Sequence, residues 1–183
     1  MLSSRLDQSF FAQDVLEVAR QLLGQTLYRR FESGEVVRLT ITETEAYRGE
    51  EDLASHARFG KTKRNQVMYE KAGSLYAYLI YGRYWMLNVV TGNVGEPQAV
   101  LIRGARTQSG KVLDGPGKIG QFLQLSKDFY GQNCLESKKL WFEKGKTIKP
   151  EDIVCSPRIG VAYAGHWAHK LWRFDLVNNS SSK

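Results

Sequence analysis

The segment "LYAYLIYGRYWMLNVV", residues 75–90, predicts a β-hairpin and decides how the rest of the chain is interpreted. Two runs rich in aromatic and apolar residues alternate as strands do, and the tripeptide Tyr81-Gly82-Arg83 lies between them. Alternation places Tyr76 and Tyr78 on one face of the first strand. One face of the returning strand carries Tyr84, Met86 and Asn88. The turn therefore presents a tyrosine and an arginine at the tip of a hairpin.

The remaining pattern predicts an α+β fold with a curved, mainly antiparallel sheet flanked by helices. One helix begins at Asp14 and ends at Gly24, and another occupies residues 115–125 with Pro116 in its first turn. The turn "ESGE" at residues 32–35 and other short connections favour antiparallel pairing. The expected strands are residues 25–31, 35–47, 75–81, 84–91, 99–104 and 158–163.

Length and composition predict a single domain over residues 1–177, followed by a disordered polar tail at 178–183. Lys and Arg outnumber Asp and Glu by 26 to 19, and the net charge of +7 favours a polyanionic partner or an anionic membrane surface. Two cysteines outside any C-x-x-C pattern favour a reducing compartment. The N-terminus lacks the apolar core of a signal peptide. We therefore expect a soluble cytoplasmic protein without a membrane segment.

Acidic residues are concentrated in "LTITETEAYRGEEDLASH", residues 39–56. Alternation places Glu43, Glu45 and Tyr47 on the same strand face as Leu39 and Ile41. Carboxylates near a phosphate cost on the order of a kcal/mol each at intermediate dielectric, so their presence in a basic protein calls for an explanation. One interpretation is a solvated strand end followed by an acidic loop. The other makes one glutamate a general base or a stabiliser of developing positive charge.

Basic residues follow in "ARFGKTKRNQ", residues 57–66, which contains no acid. Arg58, Lys61, Lys63 and Arg64 form either a phosphate-binding loop or an ordinary solvated loop. The hairpin tip is open to two interpretations as well, since strand tyrosines often fill cores, yet a flat ring at a tip can replace a flipped base in a stack.

Two further motifs are weaker. "DGPGKIG" at residues 114–120 lacks the ending of a phosphate loop, and its helix start with Lys118 is expected to hold a DNA phosphate. His166 and His169 have the spacing of metal ligands on a helix, but no third ligand accompanies them in the sequence. We predict no metal and no cofactor.

Several of these motifs together resemble the alkyladenine DNA glycosylase family, the alkylpurine-type 3-methyladenine DNA glycosylases. The resemblance extends from about Arg5 to Phe174. Its motifs, in order, are "ITETEAY", "ASH", "LYAYLIYG", "MLN", "AVLIRGA", "GPGKIGQFL" and "RIGVAYAGHWAHKLWRF". The chain departs from the family in a short 106–113 segment, and Arg83 stands where many relatives have an apolar residue.

The resemblance implies a role for each matching position. Glu45 matches the general base that activates water, and Arg103 matches a residue that helps to position the water and the target phosphate. Tyr81 matches the side chain that intercalates in place of the flipped base, and Arg83 beside it is expected to contact DNA. The flipped purine is enclosed by Tyr47, His56 and Tyr78, with Asn88 excluding the 2-amino group of normal guanine.

The implied activity is base excision repair by a monofunctional, monomeric DNA glycosylase. It flips damaged purines out of duplex DNA and hydrolyses the glycosidic bond, and the expected substrates are 3-methyladenine, 7-methylguanine, hypoxanthine and ethenoadenine. The bond breaks through an oxocarbenium-like state, which a nearby carboxylate stabilises. Two alternatives are a DNA-binding module without catalysis and a metal-dependent nuclease that uses Glu43, Glu45 and the histidines.

Overall fold

The computed structural model describes residues 4–177 and has the expected α+β fold, with few helices and nine strands in one sheet. Its strand pairs are antiparallel throughout the described residues. The tail predicted to be disordered, residues 178–183, lies outside the described residues. The single domain over residues 1–177 stays a prediction.

The elements follow the chain in a simple order. The α-helices are α1 Gln8–Phe11, α2 Val15–Gln21 and α3 Pro116–Phe122. Short 3-10 helices occupy His56–Phe59, Gln66–Tyr69, Lys127–Phe129, Pro150–Asp152 and Ala162–His169. The strands are β1 Thr26–Arg30, β2 Val36–Arg48, β3 Leu75–Ile80, β4 Tyr84–Val90, β5 Gln98–Thr107, β6 Val112–Asp114, β7 Leu140–Glu143, β8 Ile153–Ser156 and β9 Arg173–Leu176.

Strand β2, 13 residues long, organises the sheet. The main path runs β3-β4-β5-β2-β1-β7, with β6 beside β5. The first half of β2 pairs with β1, whereas the segment around Glu43–Glu45 pairs with β9. The carboxylates of β2 therefore lie between β5 and β9 rather than at a sheet edge.

Helix α2 covers the apolar core on this sheet. Asp14 caps it as expected, because its carboxylate accepts a hydrogen bond from the backbone N–H of Leu16, 2.9 Å away. Gly24 follows the helix with a φ of +80°, a conformation that favours glycine. Val18 and Ala19 are fully buried against the sheet, and the hydroxyl of Thr44 on β2 donates to the Ala19 carbonyl at 2.8 Å. Strand β2 is thereby fixed to the helix.

The β3–β4 hairpin forms as predicted, with its turn at residues 81–83. Tyr76 pairs with Asn88, and Tyr78 pairs with Met86. At the tip, Tyr81 and Gly82 both have positive φ, and the N–H of Arg83 donates to the carbonyl of Ile80 at 3.0 Å. A non-glycine residue in the left-handed region is uncommon and carries a conformational cost. The turn holds the Tyr81 side chain outward, with 90% of its surface exposed.

Two expectations are wrong. Residues 158–163 do not form a strand: they form a turn that enters the 3-10 helix Ala162–His169. The uniform face expected for β2 is also wrong, because the pairing register shifts between Ile41 and Thr44. Leu39 and Ile41 consequently share their apolar cluster with Ala46, on the core side of the strand.

Candidate active site

A cavity of about 220 Å³ lies where the hairpin, β2, β5 and the turn after residue 158 meet. Strand alternation explains its lining, because every second residue of β2, β3 and β4 points the same way. Its lining includes seven residues that the sequence predicted: Glu45, Tyr47, His56, Tyr78, Asn88 and Arg103, with Tyr81 at the rim. The cavity therefore brings together residues that are far apart in the chain, from Glu45 to Tyr163.

Glu45 is a fully buried carboxylate in the cavity wall. Its Oε2 accepts a hydrogen bond from the Tyr47 hydroxyl at 2.8 Å, and its Oε1 accepts one from the N–H of Ile159 at 2.9 Å. Arg103 Nε lies 3.5 Å from Oε1. Burial raises the pKa of Glu45 above its ordinary value, although Arg103 and both hydrogen bonds oppose the increase. Glu45 is therefore more basic than an exposed glutamate.

Tyr47 lies between Glu45 and a buried ion pair that the sequence did not reveal. Burial and the neighbouring carboxylate raise the pKa of Tyr47 well above 10, so its hydroxyl stays a neutral donor. The guanidinium of Arg158 lies 4.8 Å from the Tyr47 ring centre and binds both oxygens of Asp52, at 2.5 and 2.8 Å. This pair anchors the turn that carries Ile159. The signal available in the sequence was an acid closing the 43–52 cluster and an arginine opening "RIGVAY".

Arg103 is shared between two carboxylates. Its Nε donates to Glu43 Oε1 at 3.0 Å and lies farther, at 3.5 Å, from Glu45. Arg173 on β9 also donates to Glu43 Oε1, at 2.8 Å. Glu43 and Glu45 thus share one arginine but differ in how many positive charges face them.

Aromatic rings form the opposite wall. The Tyr76 and Tyr78 ring centres are 5.1 Å apart, and the His56 ring meets Tyr78 edge-on at 4.7 Å. The Tyr76 hydroxyl and His56 Nδ1 are hydrogen-bonded at 2.8 Å. Burial, together with Arg64 and Arg58, lowers the pKa of His56 to about 4, so the ring is neutral at pH 7. Nearby, the Asn88 side-chain amide donates to the Tyr76 carbonyl at 3.1 Å, which fixes its orientation.

The rim of the cavity carries exposed aromatic and basic side chains. Tyr81 lies at the mouth, and Arg83 beside it is exposed with its guanidinium 5.3 Å from the Tyr84 ring centre. Arg64 lies 5.6 Å from the Tyr78 ring centre, so part of the basic loop reaches the cavity. Lys61 and Lys63 are exposed, and Lys61 lies 5.5 Å from the Tyr69 ring centre.

Other predicted positions lie apart from this cluster. Lys118 is exposed on α3 and forms an ion pair with Asp114. His166 and His169 are exposed on the kinked 3-10 helix after the cavity turn. Among residues 4–177, no group of three His, Cys, Asp or Glu side chains is arranged to hold a metal ion. The same residues contain no helix long and apolar enough to cross a membrane.

The arrangement combines a basic carboxylate with a cavity lined by aromatic rings. Such rings can stack on a planar heterocycle, and a carboxylate in the same wall can remove a proton from water or stabilise positive charge on a sugar. Exposed cations around the mouth suit a phosphate backbone.

Comparison with known proteins gives the class. A sequence model of the family described as "Methylpurine-DNA glycosylase (MPG)" matches residues 9–180. A protein of Methanocella arvoryzae is 42% identical, covering 92% of this chain and 90% of its own length. One of Anaeromyxobacter sp. is 43% identical, covering 96% and 91%, and one of Borreliella burgdorferi is 39% identical, covering 95% and 97%. Each bears the name "Putative 3-methyladenine DNA glycosylase".

The chain belongs to the methylpurine-DNA glycosylase family, which confirms the resemblance inferred from its motifs. It is a monofunctional DNA N-glycosylase that acts in the repair of alkylated bases, and its partner is DNA that contains damaged bases.

Proposed function

We propose that this glycosylase removes 3-methyladenine, 7-methylguanine, hypoxanthine and ethenoadenine from duplex DNA by hydrolysis with a water activated by Glu45. The observation that carries the proposal is the buried Glu45 carboxylate in the wall of an aromatic cavity. A damaged purine would occupy the cavity with its sugar beside Glu45, and an abasic site would remain in the DNA.

In the proposed reaction, the bond between C1′ and the purine nitrogen breaks as positive charge develops on the sugar. Its electron pair leaves with the purine, so a cationic alkylated purine departs neutral, whereas hypoxanthine or ethenoadenine departs as an anion that takes up a proton from solvent. Glu45 stabilises the positive charge and takes one proton from water while the water oxygen bonds to C1′. Its raised pKa makes it a stronger base, and a positioned base contributes about 10²- to 10⁴-fold to the rate. Arg103 would help to hold the water and the target phosphate.

The cavity favours damaged purines through stacking and shape. Alkylation at N3 or N7 makes the purine cationic, which improves it as a leaving group and strengthens stacking on Tyr47 and Tyr78. His56, held by Tyr76, offers a neutral ring nitrogen near the edge of the base. Asn88, whose amide is fixed by the Tyr76 carbonyl, would clash with the 2-amino group of guanine.

DNA binding would use the rim. Tyr81 is the exposed ring at the hairpin tip, and its insertion would fill the gap left by the flipped nucleotide. Stacking of an aromatic side chain returns roughly 1–3 kcal/mol per base, against a flipping cost of a few kcal/mol. Phosphate contacts are assigned to Arg83, Lys61, Lys63, Arg64 and Lys118. A monomer would suffice for activity, since one chain supplies both the inserted Tyr81 ring and the cavity.

The test is release of free base from duplexes that each carry one lesion: a 3-methyladenine analogue, hypoxanthine or ethenoadenine. Each reaction is divided, and half is treated with alkali. We expect released base, strand cleavage only after alkali, and stronger binding to lesion duplex than to undamaged duplex. Tyr81→Ala should weaken lesion binding about tenfold, while Tyr81→Phe should retain it. Tight lesion binding without base release from any duplex would contradict the proposal and favour a binding module.

A further inference from the structure

Glu43 is a second buried carboxylate on β2, with only 5% of its surface exposed, two positions before Glu45. The cavity wall in the described part of the chain contains Glu45 but not Glu43. A buried charge outside the reaction space needs compensation and a reason for its position. Both are found in the strands on either side of it.

The strand register brings Glu43 and Arg103 together. Ile41 pairs with Ala105, and Glu43 pairs with the next residue back on β5, Gly104, so the pairing register shifts between Ile41 and Glu43. Thr44 then pairs with Ile102, so the register shifts again at Arg103. Such irregularities redirect side chains, and they are common next to active sites.

Gly104 provides the space that this arrangement requires. A Cβ atom at Gly104 would lie 2.7 Å from the Cβ of Glu43 and 3.1 Å from its Oε2. A side chain at this position would collide with Glu43, whose carboxylate would have to move. The glycine of "LIRGA" is therefore explained by close packing against Glu43.

Two arginines converge on one oxygen of Glu43. Arg103 Nε donates to Oε1 at 3.0 Å and Arg173 Nη1 donates to the same atom at 2.8 Å. Glu45 faces Arg103 only at 3.5 Å, and the backbone of Arg173 lies opposite it in the β2–β9 pairing. Glu43 thus holds Arg103 closer to itself than to Glu45.

We infer that Glu43 is a positioning residue, which with Arg173 holds Arg103 at a distance from Glu45. From there Arg103 partly stabilises the ionised base without pairing with it directly. The inference rests on the proposed function of Glu45. If Arg103 were free to pair directly with Glu45, the carboxylate would be compensated on both oxygens and would be a weaker base.

The polar groups that face Glu45 determine the expected direction of change. Tyr47 and the N–H of Ile159 donate hydrogen bonds to it, Tyr78 and Glu43 lie nearby, and Arg103 approaches from β5. Removing the Glu43 charge releases Arg103 toward Glu45 and removes a repulsive negative charge. Both effects favour the ionised form of Glu45. Removing Arg173 leaves the Glu43 charge less compensated and draws Arg103 toward Glu43, which has the opposite effect.

The experiment measures single-turnover base release against pH for the wild type, Glu43→Gln, Arg173→Gln and Glu45→Gln, on whichever lesion duplex the wild type cleaves fastest. Glu35→Gln, which removes an exposed charge just before β2, is the matched control. In Glu43→Gln we expect the acid limb of the profile to shift to lower pH by on the order of half to one unit, and the plateau rate to fall roughly tenfold. In Arg173→Gln the acid limb should shift to higher pH. Lesion binding should stay within about twofold of the wild type.

Opposite shifts distinguish positioning from a purely structural role. Equal losses of rate in both variants with an unmoved acid limb would overturn the inference, as would an upward shift in Glu43→Gln. If Glu43→Gln fails to fold, the test falls on Arg173, whose side chain is partly exposed. The direction in which the acid limb shifts is then read from Arg173→Gln, with Arg173→Lys, which keeps the charge, as its control. If the acid limb of the pH profile survives in Glu45→Gln, the proposed base itself is overturned. If the limb is lost in Glu45→Gln but does not shift in the Glu43 and Arg173 variants, only the role of Glu43 is overturned.

Discussion

Glu45 and Asp52 are both fully buried carboxylates, seven positions apart, and the structure treats them differently. Asp52 binds Arg158 through both oxygens, at 2.5 and 2.8 Å, and also accepts backbone hydrogen bonds from Arg48 and Ala54. Glu45 has two hydrogen bonds and one guanidinium at 3.5 Å, and it faces a cavity. Asp52 is enclosed by its partners, whereas Glu45 keeps an open side.

The difference shows how one acidic segment can supply both architecture and chemistry. A buried carboxylate with a two-point arginine partner and backbone donors is best suited to fixing a loop. A buried carboxylate that is partly compensated has a raised pKa and retains basicity. Asp52 therefore supports the turn at Ile159, and the backbone N–H of Ile159 donates a hydrogen bond to Glu45.

The largest expected effect separates the two acids by activity. Glu45→Gln should lower single-turnover base release by about 10²- to 10⁴-fold, because the base is lost. Its free energy of unfolding should stay within about 1 kcal/mol of the wild type, since an isosteric neutral group replaces a charge that burial disfavours. Rates and chemical denaturation on the same preparations check both. A variant that loses activity only because it unfolds would break the comparison.

Asp52→Asn should act on stability. Breaking a buried ion pair by removing one partner leaves Arg158 uncompensated, and the free energy of unfolding should fall by about 3–5 kcal/mol. Urea denaturation measures the change, with Glu51→Gln as an exposed neighbouring control. Below the melting temperature of Asp52→Asn, the folded fraction of that variant should keep more activity than Glu45→Gln. Wild-type stability with lost activity would reverse the roles assigned to the two acids.

Tyr47→Phe sharpens the account of Glu45 while keeping the ring. The hydroxyl stabilises ionised Glu45 by donating at 2.8 Å, so its loss should raise the pKa of Glu45 further. We expect a decrease of about tenfold in base release at low pH, becoming smaller as pH rises, since one pKa unit corresponds to about 1.4 kcal/mol. A pH-independent decrease would instead indicate that the hydroxyl acts on the substrate.

The smallest expected effect concerns His56. Its pKa is lowered to about 4 by burial and two arginines, so the folded protein binds this proton less readily than the unfolded chain. The stabilisation is present above the ordinary histidine pKa of about 6.5 and is lost as pH falls from there toward 4. An NMR titration should show no transition near pH 6.5 for the His56 ring protons. Their signal is assigned as the one that disappears in His56→Gln. A normal His56 titration would contradict the neutral-ring account.

Local sequence signals predicted much of this architecture. The β3–β4 hairpin, its turn at Tyr81 and the α2 cap depend on residues close together in the chain, and each is confirmed. The register irregularity that places Arg103 beside Glu43 could not be predicted, because it depends on which strands meet. The apolar run at 158–163 resembled a strand, but Arg158 binds buried Asp52 and the chain turns to close the cavity. Distant ion pairs leave no local pattern.

The most direct test of the central claim is a pH profile of single-turnover base release for the wild type and Glu45→Gln on one alkylated duplex at saturating enzyme. The account predicts a wild-type rate that rises with pH through one ionisation above the ordinary glutamate range, because burial raises the pKa of Glu45. The variant should be slow and should lack this rise. A variant that keeps both the wild-type rate and its pH dependence would contradict the assignment of Glu45 as the base.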